Sequence, residues 1–207
     1  MSNFERKVEE IVLDFGRRFS ERAPNPPIKC TVKLRELTVS AAIGSGIRYE
    51  AAERMAKAVV SKPTTEVIET VATRHRFPNQ TRARLFKLFV DEPLILDNAV
   101  EHLKNAACAH STRVRLSNTV PGLGPKQSSF LLSICGHGQS IAVLDRHIIK
   151  FLGLIGVVDI NQVPSNWPRY QDMEMSFLRY SREKNVRADA LDIAIWVTMK
   201  AAGRKVS

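Results

Sequence analysis

Apolar residues recur three and four positions apart along most of this chain, and no run alternates with the period of two that a half-buried strand needs. Phe4, Val8, Ile11, Val12, Phe15 and Phe19 form one stripe on a first helix. Ala23-Pro24-Asn25-Pro26-Pro27 ends it, because proline supplies no amide donor and restricts the residue before it. The same periodicity, cut by Gly and Pro, predicts helices over about 32–43, 48–60, 64–73, 80–90 and 97–108, a short one over about 113–118, and others over about 125–135, 145–153, 170–183 and 187–202. The fold class is therefore all-α, and 207 residues leave room for one or two small helical lobes with a real core.

Charge narrows the partners. Lys and Arg number 31 against 21 Asp and Glu, a formal net charge of +10. A basic domain suits a polyanion, most often nucleic acid, although a basic surface can also be merely solvated. No window is long and apolar enough to span a bilayer, so no membrane partner is expected. The N-terminus lacks the apolar core of a signal peptide, which places the protein inside the cell. Cys30, Cys108 and Cys135 are odd in number and widely spaced. They form no zinc pattern and no four-cysteine cluster loop, so three reduced thiols are expected, with no metal and no cofactor.

The chemistry concentrates in Val120-Pro121-Gly122-Leu123-Gly124-Pro125-Lys126 and in Leu144-Asp145-Arg146-His147. Gly122 and Gly124 let the backbone turn tightly and approach a ligand closely. Pro125 suits the first position of a helix, where its missing amide costs nothing. The amides that follow sit at a helix N-terminus and favour an anion such as a DNA phosphate. The same glycines also suit an ordinary loop between two helices. Lys126 then falls in the first helical turn. The helix dipole, basic neighbours and partial burial would all disfavour its ammonium form, and a neutral amine can attack carbon and form a Schiff base. From spacing alone it can equally be a phosphate contact. Asp145 can stabilise cationic charge in a sugar ring or orient an amine, or it can be a plain helix cap. His147 can donate to a phosphate or lie idle on the surface.

Residues of about 113–151 resemble the helix-hairpin-helix, Gly/Pro, Asp signature of the DNA glycosylase superfamily that includes endonuclease III. Lys126 matches the lysine of its bifunctional glycosylase/lyase members. Much of the chain further resembles the compact, second type of 8-oxoguanine DNA glycosylase/lyase of archaea and some bacteria. The supporting stretches are Arg76-Phe77-Pro78-Asn79, Leu144-Asp145-Arg146-His147, and Leu191-Asp192 with Trp196. The resemblance implies two helical lobes, a central one over 31–120 and a second one from 1–30 plus 121–207, with the active site in the cleft between them. It implies a monomer acting on double-stranded DNA that contains oxidised guanine, with the damaged nucleotide flipped out of the duplex. Lys126 would attack C1′, Asp145 would support the positive charge of the sugar, and β-elimination would nick the strand. Gly122, Gly124 and His147 would hold the backbone. Asn79 would fill the gap left by the flipped base, unless it is a turn residue or cap. Trp196 would stack on the extruded base, unless it packs in the core. Arg82 and Arg84 would contact the DNA backbone.

The chain departs from that pattern in three places. The turn aligned with a polar Gln- or Thr-containing loop reads Ile43-Gly44-Ser45-Gly46, the iron–sulfur cysteines are absent, and the tail reads Gly203-Arg204-Lys205-Val206-Ser207. The missing cluster moves the expected substrate away from oxidised pyrimidines. Two other readings stay open: the same chemistry on another lesion, and a helix-hairpin-helix module that binds DNA without catalysis.

Overall fold

A computed structural model describes residues 2–44, 46–73, 78–159, 164 and 166–203. Among them there are helices, turns and extended segments but no strand. The chain divides into two compact units, Met1–Asn25 with Gly136–Ser207, and Pro26–Cys135.

The first unit contains α1 (Asn3–Ser20), α9 (Arg146–Leu154), α10 (Trp167–Glu183) and α11 (Ala188–Gly203). Helix α1 opens with a capping box in which Ser2 accepts from the Glu5 amide and the Glu5 carboxylate accepts from the Ser2 amide. Its apolar stripe splits. Val8 and Val12 are buried, whereas Phe4, Ile11 and Phe15 are exposed. The core gathers Val12, Ile148, Phe151, Phe177, Leu191 and Ile195. Gly16 lets α1 approach this core, since a Cβ there would meet Val186 Cγ1 at 2.8 Å.

The second unit contains α2 (Thr31–Ile43), α3 (Tyr49–Ser61), α4 (Thr65–Thr73), α5 (Pro78–Phe86), α6 (Leu94–Lys104), α7 (Ala109–Thr119) and α8 (Pro125–Leu132). Helix α2 is buried on every face from Leu37 to Ile43, where the sequence carries no charge and its only polar residues are the small Thr38 and Ser40. Around it lie Ala52, Ala56, Val59, Ile68, Val71, Leu85 and Leu96. Helix α5 ends in a wide turn. Lys87–Asp91 continues α5 with π geometry, closed by the Glu92 amide on the Lys87 carbonyl at 2.9 Å. After α8 the chain kinks within Ser133–His137 at Gly136, whose φ of +92° is not helical.

Three expectations shift. Helix α6 begins at Leu94, directly after Pro93, rather than near 97, because proline is tolerated at a helix start. Helix α7 is longer than the short segment expected, starting at Ala109. Residues 121–135 belong with the central unit rather than with the second lobe. They are tied there by the packing of the hairpin onto α2 and α7, which adjacency in sequence does not encode.

Candidate active site

The helix-hairpin-helix is formed by α7, the turn Val120–Gly124 and α8. Val120 and Leu123 are buried, and the Leu123 amide closes the turn on the Val120 carbonyl at 3.1 Å. Gly122 has φ +90°, and a Cβ there would lie 2.3 Å from the Ala42 carbonyl oxygen and 2.9 Å from Arg84 Cδ. Glycine is therefore required by both conformation and packing. Gly124 differs. It is the N-cap of α8 in extended conformation, and a Cβ there would meet nothing within 4 Å. The fold does not demand a glycine at 124, which leaves open space for a ligand against the backbone. Pro125 occupies the first helical position, as expected. The Lys126 and Gln127 amides lie in the first turn of α8 and have no intrahelical acceptor.

Buried side chains brace this turn. Arg113 of α7, fully buried, donates to Ser129 Oγ at 3.0 Å, and Ser129 Oγ donates to the Pro125 carbonyl at 2.8 Å. Ser128 Oγ donates to the Gly124 carbonyl at 2.9 Å. Lys126 is exposed, so the partial burial expected of it is absent. Its side chain has no ion pair or hydrogen bond with described residues, and the amine projects from a fixed helix start.

We expect Gly122→Ala to cost about 3 kcal/mol or more, which lowers the melting temperature by roughly 6 to 12 °C. Gly124→Ala should leave stability within about 0.5 kcal/mol while weakening DNA binding. Thermal melts and DNA titrations on the two variants check this contrast.

In the other unit, Asp145 is the N-cap of α9. Its Oδ1 accepts from the His147 amide at 2.7 Å and the Ile148 amide at 3.0 Å. Oδ2 has no hydrogen bond among the described residues. Around His147 stand Asp145, Arg146, Lys150 and, from α11, Lys200. Partial burial pushes the His147 imidazole below its ordinary pKa, and the Arg146, Lys200 and Lys150 cations add to this against the opposing pull of Asp145. Asp192 of α11 accepts from the Val143 amide at 2.8 Å. Burial raises its carboxyl to about 7, opposed by the Val143 amide and reinforced by the Asp145 and Asp189 charges. A carboxyl raised on folding binds more protons folded than unfolded, so its contribution favours the folded state at low pH and is lost as pH rises toward 7. Asp192→Asn should therefore reduce the excess stability at pH 5 over pH 8, as denaturant titrations at both pH values would measure.

The remaining expected site residues are placed as follows. Trp196 is exposed on α11 rather than packed in the core, with Lys200 Nζ 4.0 Å from its ring centroid. Asn79 lies exposed in the first turn of α5; Arg74–Phe77 of the preceding connector fall outside the described residues, as do Ser45 and the tail Arg204–Ser207. Arg82 and Arg84 already have partners within the protein. Arg82 pairs with Glu69 at 2.6 Å, and Arg84 Nη1 donates to the Ala42 carbonyl at 3.0 Å beside Gly122. A groove of about 670 Å³ runs along the hairpin, lined by Arg84, Lys87, Glu92, Ile95 and Ser117–Gly124. Lys87 in this groove and Lys200 beside Trp196 were missed by sequence reasoning. Lys200 follows Trp196 by four residues, a spacing that puts both on one helical face.

No helix among the described residues is long and apolar enough to cross a membrane. None of the three cysteines is in a disulfide, and burial raises the Cys135 thiol to about 12. Among the described residues no group of three or more His, Cys, Asp or Glu could hold a metal ion.

A search of solved structures finds the 8-oxoguanine DNA glycosylase of Thermotoga maritima, with a TM-score of 0.65 and 18% identity over 92% of this chain and 88% of that one. It also finds the Methanocaldococcus jannaschii 8-oxoguanine glycosylase/lyase in complex with 15mer DNA containing 8-oxoguanine, with a TM-score of 0.65 and 17% identity over 94% and 90% of the two chains. These likenesses establish the all-α fold. Curated relatives are the 8-oxoguanine DNA glycosylase/AP lyases of Fusobacterium nucleatum, 29% identical over 77 residues, and Saccharolobus islandicus, 32% identical over 85 residues. The aligned stretches cover 37% and 41% of this chain and only 36% and 40% of those relatives. The family model for 8-oxoguanine DNA glycosylase matches residues 35–186, nearly three quarters of the sequence. The match runs through α7, the glycine hairpin, Lys126 and Asp145, and the chain belongs to the 8-oxoguanine DNA glycosylase family.

Proposed function

We propose that the protein is a bifunctional DNA base-excision repair enzyme that removes 8-oxoguanine and then nicks the abasic strand. The observation that carries this reading is Lys126, an exposed lysine on the first turn of α8 directly behind a glycine hairpin. The hairpin grips a phosphate through first-turn amides, and the open space at Gly124 admits the DNA backbone. The damaged nucleotide leaves the stack, and Trp196 offers it a π-face. The Lys126 amine forms a bond to C1′ as the glycosidic C–N bond breaks, and the base leaves with the bonding pair and a proton. Asp145, whose Oδ2 is uncommitted, supports the cationic sugar. Opening of the sugar ring gives an imine, loss of a C2′ proton expels the 3′ phosphate, and hydrolysis frees the lysine. This reading requires both units to present their residues to one nucleotide. His147 and Asn79 complete the contacts to the duplex, and Arg82 and Arg84 contribute positive potential there. The protein acts as a monomer inside the cell, without a metal or cofactor.

Base release in single turnover from otherwise identical 8-oxoguanine and thymine-glycol duplexes tests the substrate. Faster release of 8-oxoguanine is expected. Faster release of thymine glycol would assign the same chemistry to another lesion, and salt-sensitive binding without release of either would leave a DNA-binding module.

A further inference from the structure

The segment Ile141–Leu144, which delivers the chain to Asp145, raises a problem of backbone satisfaction. All four of its side chains are buried, at 8% exposure or less, and it is neither helical nor paired in a sheet. Buried amides in such a segment are costly unless each finds an acceptor. Those of Ala142, Val143 and Leu144 find them in side chains of α10 and α11. The Ala142 amide donates to Glu174 Oε1 at 2.8 Å, the Val143 amide to Asp192 Oδ2 at 2.8 Å, and the Leu144 amide to the Tyr170 hydroxyl at 3.1 Å. The Tyr170 hydroxyl in turn donates to the Ala142 carbonyl at 2.8 Å. Tyr170 and Glu174 are themselves buried, and they stand one turn apart on α10.

We propose that Asp192, with Tyr170 and Glu174, is a positioning residue that fixes this segment and thereby aims Asp145. The inference rests on the catalytic reading of Asp145. The geometry is direct, because Val143 is both the residue whose amide Asp192 holds and the residue whose carbonyl accepts the Asp145 amide, at 2.7 Å. From there Asp145 Oδ1 fixes the first turn of α9. A run of side-chain and backbone bonds thus leads from α11 through Val143 to Asp145 and α9. Two of the three acceptors are carboxyls in a largely apolar region. An apolar residue would pack more readily there, but it would leave an amide unpaired.

The test combines hydrogen exchange at the 142–144 amides, followed by NMR, with single-turnover base release. In wild type these amides should exchange slowly. Asp192→Ala should expose Val143 to exchange and slow base release on the order of 10²-fold, with DNA affinity changed less than about threefold, as expected when a reacting group is misaligned rather than removed. Asp192→Asn keeps an oxygen that can accept from Val143 and should stay within about fivefold of wild type. Unchanged exchange and rate in Asp192→Ala would overturn the proposal, as would Asp192→Asn being as slow as Asp192→Ala, since charge or substrate contact would then be what matters. If Asp192→Ala does not fold, Tyr170→Phe, which removes one oxygen, should accelerate exchange at Leu144 and slow base release. Tyr170→Phe with wild-type exchange and rate would overturn the proposal equally. A wild-type protein that releases no base defeats the catalytic reading whatever the exchange shows, and the exchange pattern then decides the clamp separately.

Discussion

Lys126→Gln should lower base release from an 8-oxoguanine duplex at least about 10³-fold, because the amide that replaces the amine cannot form the bond to C1′. Folding should be unaffected. Lys126 is exposed, and its side chain has no hydrogen bond or ion pair with described residues. DNA affinity should fall only modestly, since one cation among many basic groups is lost and the hairpin amides remain. Gel assays of base release and strand nicking, together with binding titrations, separate these effects. A variant that binds normally but releases no base marks Lys126 as a nucleophile. A variant whose loss lies mainly in affinity, and is relieved at low salt, marks it as a phosphate contact.

Asp145→Asn should reduce turnover by about 10² to 10⁴-fold with DNA binding retained or slightly tightened. This substitution separates chemistry from capping. Asparagine is as good an N-cap as aspartate, and its carbonyl oxygen can accept from the His147 and Ile148 amides as Oδ1 does now. The melting temperature should therefore change little. Asp145→Ala should lose the same activity and also about 1 kcal/mol of stability from the missing cap. If Asp145→Asn keeps full turnover, the carboxylate is a cap and nothing more. Single-turnover rates at saturating enzyme, with melts of both variants, measure the two effects independently.

Much of the fold was legible because its signals are local. The stripe at Val8 and Val12, the uncharged run Leu37–Ile43 of α2, the proline at the first position of α8 and the aspartate ahead of α9 each act within a turn or two of chain. The positions of Lys126 and Asp145 at helix starts were legible for the same reason, since helix starts announce themselves in sequence. What escaped depends on distant partners. The assignment of the hairpin to the central unit rests on Gly122 against Ala42 and on Arg113 with Ser129, contacts that no local pattern encodes. Arg82 and Arg84 read as contacts to the DNA backbone, and the sequence did not show that one pairs with Glu69 and the other donates to the Ala42 carbonyl. Asp192 could be picked out only as part of a resemblance. Its bond to Val143 spans 49 residues and appears only in the folded chain. The π turn after α5 is likewise invisible to a 3.6-residue period.

The most direct test of the central claim, that Lys126 is the amine that forms the imine, is borohydride trapping followed by peptide mapping. The protein is incubated with an 8-oxoguanine duplex, reduced, digested, and the DNA-bearing peptide identified by mass spectrometry. A stable crosslink located at Lys126, and absent from Lys126→Gln, is the predicted result. No crosslink in wild type, or one that maps to another lysine and survives in Lys126→Gln, would contradict it.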